Sequence, residues 1–287
     1  MMELGEDAVT EPIEASAWLE ESLPVEPGGT LFVRASRGTV DVRSHEADEV
    51  RVEAEARGRR AEQVRFLLDR SGNDVRFEAR VDGWLTGLLG GVDVRVRIWV
   101  PTRYSLALRS SGGDVHVDGI GGEVSLSTSG GDASVTRTVG PIDLSSSGGD
   151  LEILHVDGDV RVKSSGGNIA LRDVFGDVAA RTSGGELHID GVDGAVDLRS
   201  SGGSVSVVFL GDPEGEIKGS GGSIEILVRE DANAEIDAKS SGGEIELELD
   251  IDRRREPSKR HVVGSLGQGG PRLVVRSSGG SIRIAEL

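Results

Sequence analysis

Cysteine is absent from the 287 residues, which excludes disulfides, a thiol nucleophile and a thiolate metal site. Aromatic residues make up only 3%, so the interior cannot be built on Phe, Tyr and Trp and must be filled by small and β-branched side chains. No apolar run approaches the roughly 20 residues of a membrane-spanning helix. The first residues, Met1 to Glu26, carry neither the basic region nor the apolar stretch of a classical secretory signal. On that basis the chain reads as cytoplasmic rather than secreted, with no membrane insertion. Positive charge is also scarce: 32 Lys and Arg stand against 50 Asp and Glu, a net charge of −18. Such a balance disfavours nucleic acid as a partner, because phosphates would be repelled.

Glycine is abundant, with 43 residues, and nine of the Gly-Gly pairs fall in one tripeptide. Ser-Gly-Gly begins at Ser111, Ser129, Ser147, Ser165, Ser183, Ser201, Ser220, Ser241 and Ser278, and the first six starts are 18 residues apart without slippage. A fixed period means one structural unit stacked on itself. Each 18-mer resolves into two 9-mers. The first half reads Ser-Gly-Gly, a polar residue, then apolar-x-apolar, as in Val115 and Val117, Leu151 and Ile153, or Leu187 and Ile189. The second half opens on an apolar residue (Ile120, Val156, Val174, Val192, Leu210, with Thr138 as the exception) and continues apolar-x-apolar-x-Ser/Thr. Side chains alternate faces along a strand, so each apolar pair points inward and the residue between them outward.

The predicted fold is therefore all-β: a single-stranded β-solenoid of about nine 18-residue rungs, each of two 9-residue halves, behind an N-terminal β cap region. Glycine serves the corners, and the inward Ser or Thr before each corner is placed to bond the turn backbone. Residues 1–24 read as an acidic tail, 25–108 as the cap region and 109–287 as the solenoid. Within the cap, Thr30–Ala35, Thr39–Arg43, Val50–Ala54, Asp74–Ala79 and Val92–Val100 alternate at period two. Between them Ala61, Val64, Leu67 and Leu68 have helical spacing, which predicts a short helix over Arg59–Asp69. The register breaks near the end, where Asp250–Pro271 forms an excursion and Ser278–Leu287 is half a rung. That half rung predicts an exposed strand edge at Ser281–Ala285 and, through it, an end-to-end homo-oligomer.

The layout resembles the bacterial and archaeal "putative adhesin" β-strand-repeat family, a domain of unknown function. The resemblance is carried by Arg37-Gly38-Thr39-Val40-Asp41-Val42, the Val100-Pro101 boundary and the Ser-Gly-Gly-Asp-Val rungs from Ser111, and it covers about residues 25–287. It implies a surface that binds, and no catalytic residues to carry over.

Residue by residue, the chemistry is sparse. Asp114, Asp132 and Asp150 form an acidic corner column, which is expected to cap its own turns. The nine-residue calcium repeat, Gly-Gly-x-Gly-x-Asp-x-apolar-x, is not matched, because Asp here follows Gly-Gly directly. His45, His116, His155, His188 and His261 cannot be brought to ligand distance by the period. The expectation is a non-enzymatic, adhesin-like solenoid with no cofactor and no metal, whose partner is a protein or a glycan. The alternatives are a self-associating scaffold that uses its solenoid ends, and a carbohydrate-active β-helix enzyme. Candidate contact residues lie where the register breaks: Trp84, Leu85, Leu88 and Leu89 in Val81–Gly91, and Arg253, Arg254, Arg255, Lys259 and Arg260 in the excursion.

Overall fold

The structure, a computed structural model, describes residues 12–81 and 92–287, without the side chains of 253–257. It is all-β but for one 3₁₀ turn at Ala61–Gln63. Two compact units divide the chain, Met1–Gly140 and Pro141–Leu287.

In the first unit two sheets run side by side. One has the order Ile13–Ser16, Val64–Ser71, Asp74–Val81, Thr30–Ala35, Ser105–Ser110, Val124–Thr128. The other has the order Trp18–Pro24, Glu49–Gly58, Val92–Pro101, Thr39–His45, Val115–Asp118, Ala133–Val139. From Asp74–Val81 and Val92–Pro101 onward the strands pair in parallel, and those outside them pair antiparallel. The expected strands of residues 30–100 are all present. The acidic stretch is more than a tail: residues 13–24 hold two strands, and the chain crosses from one sheet to the other at Ala17, which has φ 67°. Leu19 is buried there, while Trp18 is 60% exposed.

The predicted helix over Arg59–Asp69 is not formed beyond its single 3₁₀ turn. Val64, Phe66 and Leu68 alternate with exposed or half-buried residues and point into the core, so the period is two, not 3.6. Phe66 stacks on Phe77 of the neighbouring strand, with ring centroids 6.0 Å apart.

The second unit holds the regular rungs. One sheet runs Ile142–Ser146, Val160–Ser164, Val178–Thr182, Val196–Ser200, Gly215–Gly219, Arg272–Ser277, Ala234–Ser240, His261–Leu266, Ile251–Ser258. The other runs Leu151–Asp157, Ile169–Phe175, Leu187–Asp193, Val205–Phe209, Ile224–Val228, Ile282–Glu286, Ile245–Glu248. Inward residues such as Leu151, Ile153, Leu187 and Ile189 are fully buried, as the 9-mer pattern requires.

The order of the last rungs departs from the order of the chain. After Ile224–Val228 the chain skips one rung and lays down Ala234–Ser240 and Ile245–Glu248. The excursion then forms an antiparallel hairpin, Ile251–Ser258 with His261–Leu266, alongside Ala234–Ser240. Finally the chain returns to fill the skipped position. Ile282–Glu286 pairs with Ile224–Val228 on one side and Ile245–Glu248 on the other. The expected free edge at Ser281–Ala285 is therefore corrected: that strand is hydrogen-bonded on both sides, and Ile245–Glu248 is the last strand of its sheet. A second correction concerns the apolar residue that opens the second half-rung. Phe209, not Leu210, pairs with Val192 and is fully buried, because the register shifts between Asp190 and Val192.

Candidate binding surfaces

The Ser-Gly-Gly corner is built from two glycines with different duties. A Cβ on the second glycine would overlap the backbone of the rung beside it: Gly131 would meet the Gly113 carbonyl, Gly185 that of Gly167, and Gly203 that of Gly185. A Cβ on the first glycine meets nothing within 4 Å at Gly112, Gly130 and Gly148. So the second glycine permits backbone stacking, while the first is free of that constraint in these early rungs; in the last rungs a Cβ at Gly221, Gly242 or Gly279 would also come within 2.9 Å of a neighbouring carbonyl oxygen. The residue before the tripeptide turns inward and closes the corner. Thr128 Oγ1 donates to the Gly130 carbonyl at 2.7 Å, Ser200 Oγ to Gly203 at 2.7 Å and Ser277 Oγ to Gly280 at 2.7 Å.

The acidic corner columns turn out to join rungs. Asp114 Oδ1 accepts from the Asp132 amide at 3.0 Å, Asp150 Oδ1 from Asn168 at 2.8 Å, Asn168 Oδ1 from Glu186 at 2.9 Å, and Asp159 Oδ1 from Asp177 at 3.0 Å. Each acceptor therefore serves the residue 18 positions on rather than its own turn. Because an amide oxygen at Asn168 does the same work, the column is a ladder of acceptors and does not depend on charge. Among the described residues no group of three or more His, Cys, Asp or Glu is arranged to hold a metal ion.

Ion pairs fasten the returning strands. Asp237 accepts from Arg276 at 2.9 Å on both oxygens, from Arg272 at 2.9 Å, and lies 3.1 Å from His261 Nε2. Its side chain is 15% exposed. Hydrogen bonds from Arg276 above all, then His261 and Arg272, hold its carboxyl down at about 2, against the opposing effect of burial. On the other sheet Arg283 reaches Glu248, at 2.6 and 3.2 Å, and Glu225. These contacts raise the Arg283 pKa and lower that of Glu248. Both clamps join the inserted strand to a strand beside it.

The outward face of the first-named sheet of the second unit carries a column that composition conceals. Lys163 pairs in register with Arg181, Arg181 with Arg199, Arg199 with Lys218, Lys218 with Arg276, and Arg276 with Lys239. Six consecutive strands thus present a cation at one position, about 4.8 Å apart. Acids occupy three of the six places in the adjoining column, two residues earlier in the strand, at Asp197, Glu216 and Asp237, with Arg161, Ala179 and Val274 at the others; Asp197 lies 3.1 Å from both Arg181 and Arg199, and Glu216 lies 2.7 Å from Lys218. On the other flank runs a column of exposed serines from the tripeptides. The first four cations recur at intervals of 18, 18 and 19 residues, which is a signal in the sequence. Arg276 and Lys239 join them only through the altered strand order.

The residues expected as contacts fall differently. Trp84, Leu85, Leu88 and Leu89 lie outside the described residues, as do the side chains of Arg253, Arg254 and Arg255. Lys259 and Arg260 are exposed at the tip of the hairpin, where Arg260 donates to the Ser241 carbonyl at 3.2 Å. In the first unit a shallow depression of about 160 Å³ is lined by Trp18, Glu53, Glu55, Arg95 and Arg97. Arg97 pairs in register with Glu53, and Arg95 with Glu55, so opposite charges alternate across this face. No described helix is long and apolar enough to cross a membrane.

Among solved structures the chain is similar to a "putative cell adhesion protein" from Clostridium sporogenes ATCC 15579, at 12% identity and a TM-score of 0.26, covering 94% of this chain and 100% of that one. It is also similar to a "putative adhesin" from Bacteroides fragilis NCTC 9343, at 13% identity and a TM-score of 0.36, covering 93% of this chain and 96% of that one. No curated protein matches it. The Toastrack DUF4097 family matches residues 30–285, most of the chain, and the chain belongs to that family.

Proposed function

We propose that this protein is a non-catalytic, adhesin-like scaffold whose stacked rungs present repeated side-chain columns as a binding surface. The observation that carries this reading is the strict parallel register from rung to rung, which sets each outward residue beside its equivalent. A ligand with its own linear repeat can engage several rungs at once, and weak contacts then add through effective concentration. The test is to immobilise the chain, screen glycans and proteins for binding, and follow each bound polymer for cleavage. Reversible binding with the polymer intact supports the reading. Release of shortened product would replace it with the carbohydrate-active alternative.

A second reading, self-association, is favoured by one observation. Ile245 and Leu247 occupy inward positions, yet they are half-buried rather than buried, on the strand that ends its sheet. An edge of that kind invites pairing with another chain. Light scattering over a range of concentration tests it: a mass that rises with concentration supports the scaffold, and a constant monomer mass removes it.

A further inference from the structure

We infer that the column Lys163, Arg181, Arg199, Lys218, Arg276, Lys239 is a docking track for a linear acidic polysaccharide. This rests on the binding-scaffold reading above and names the ligand class for it.

Charge is the first ground. In a protein of net charge −18, six cations follow one another on adjacent strands, spanning about 24 Å at strand spacing. Like charges at that spacing repel, and the repulsion is relieved only in part by the protein itself. Asp197, Glu216 and Asp237 neutralise the middle of the column from one flank. No ion pair is formed by Lys163 at one end or by Lys239 at the other, among the described residues, nor by Arg161 in the adjoining column. An anionic chain laid along the track would meet unpartnered cations at both ends and shared ones between.

The flank opposite the acids gives the second ground. There the exposed serines Ser165, Ser183, Ser201, Ser220, Ser278 and Ser241 run parallel to the cations, two residues further along each strand. Beyond them lies the first glycine of each corner, exposed and without a side chain. A strip of cations beside hydroxyls and bare peptide suits a polymer carrying both carboxylates and hydroxyl groups. Nucleic acid fits less well. Sequence-tolerant binding of single strands relies on aromatic platforms for the bases. The outward positions of these six strands hold no Phe, Tyr or Trp.

The experiment is a titration of the full chain with fluorescent polygalacturonate, with neutral dextran and oligo-dT as parallel probes, at low and at physiological ionic strength. Saturable binding of polygalacturonate is expected, weakening about tenfold or more as salt rises, since displaced counterions drive it. The double variant Lys163→Glu with Lys239→Glu should lose about tenfold or more in affinity, by removing and reversing the two unpaired ends. Arg172→Ala, on the other sheet, should bind as the parent does. Circular dichroism and melting confirm that the variants are folded, and Lys163→Gln with Lys239→Gln serves if charge reversal unfolds the chain. Absence of polygalacturonate binding at low salt overturns the proposal, as does binding indifferent to both double variants. Tighter binding of oligo-dT overturns it in favour of nucleic acid. Binding of neutral dextran that the variants do not alter overturns the track while leaving the scaffold reading intact, whereas cleavage of the polygalacturonate overturns both.

Discussion

Alanine placed at the two glycines of one corner should have opposite consequences. At Gly185 a Cβ would overlap the Gly167 carbonyl oxygen, with the carbonyl carbon at 2.5 Å and the Asn168 amide nitrogen at 2.8 Å. These are backbone atoms in a hydrogen-bonded rung and cannot swing aside. The rungs must separate locally, so the cost belongs at the upper end of overpacking, about 3 kcal/mol. With each kcal/mol worth about 2 to 4 °C in a chain of this size class, Gly185→Ala should lower the melting temperature by roughly 6 to 12 °C. At Gly184 the nearest atoms to a Cβ are the Gly166 and Ser165 carbonyl oxygens at 3.5 Å, an ordinary contact. Gly184→Ala should leave stability unchanged or raise it by about 0.4 to 1 kcal/mol, through the lower entropy of the unfolded chain. Urea unfolding and calorimetry of the two variants supply the comparison. Equal effects at both positions, or a larger loss at Gly184, would refute the assignment of backbone stacking to the second glycine.

Three further outcomes are expected. Thr138 is 1% exposed and its hydroxyl has no hydrogen-bond partner, at a position equivalent to Ile120, Val156, Val174 and Val192; Thr138→Val should stabilise by about 1 kcal/mol in urea titration. Asp159→Ala should cost about 1 kcal/mol by orphaning the Asp177 amide, whereas Asp159→Asn should be near neutral, and equal losses in the two would show that charge, not the acceptor, matters. Asp237 has a folded pKa of about 2 against an ordinary 3.8, so its contribution is fully present above about pH 4 and is lost as pH falls through 2. Asp237→Asn should therefore be less stable than the parent at neutral pH, by on the order of 1 to 2 kcal/mol after solvent screening, with the difference closing towards pH 2 in acid titrations followed by circular dichroism.

The solenoid was legible because its determinants are local and recur. Each Ser-Gly-Gly announces a corner, and each apolar pair an inward face, whatever rung it sits in. That same uniformity hides the order of the rungs. Leu273 and Val275, or Ile282 and Ile284, carry the pattern of any half-rung, and nothing local distinguishes a strand at the end of the stack from one between two others. The choice is made by tertiary contacts: Arg276 with Asp237, and Arg283 with Glu225 and Glu248. The strands of residues 13–24 were obscured by acidic composition, although Leu19 faces inward there. The false helix near Val64 arose because Leu67 and Leu68 are adjacent, so one of them satisfies either period. As for surfaces, Lys163, Arg181 and Arg199 could have been aligned by the 18-residue period alone. The length and continuity of the track could not, since Arg276 enters it from the far end of the chain.

The return of the last strands into the stack is the feature on which both the clamps and the continuous basic track depend. It can be read by disulfide formation against a background free of native cysteine. Glu216 and Val274, the latter on the inserted strand itself, are direct neighbours, at a spacing of about 4.8 Å that a disulfide can bridge. Lys218 and Lys239 stand on either side of Arg276, about 9.6 Å apart, beyond that reach. Under mild oxidation Glu216→Cys with Val274→Cys should cross-link within one chain, and Lys218→Cys with Lys239→Cys should not. The reverse result, a bridge between positions 218 and 239 and none between 216 and 274, would mean that the rungs stack in the order of the chain and that the track is not continuous as described.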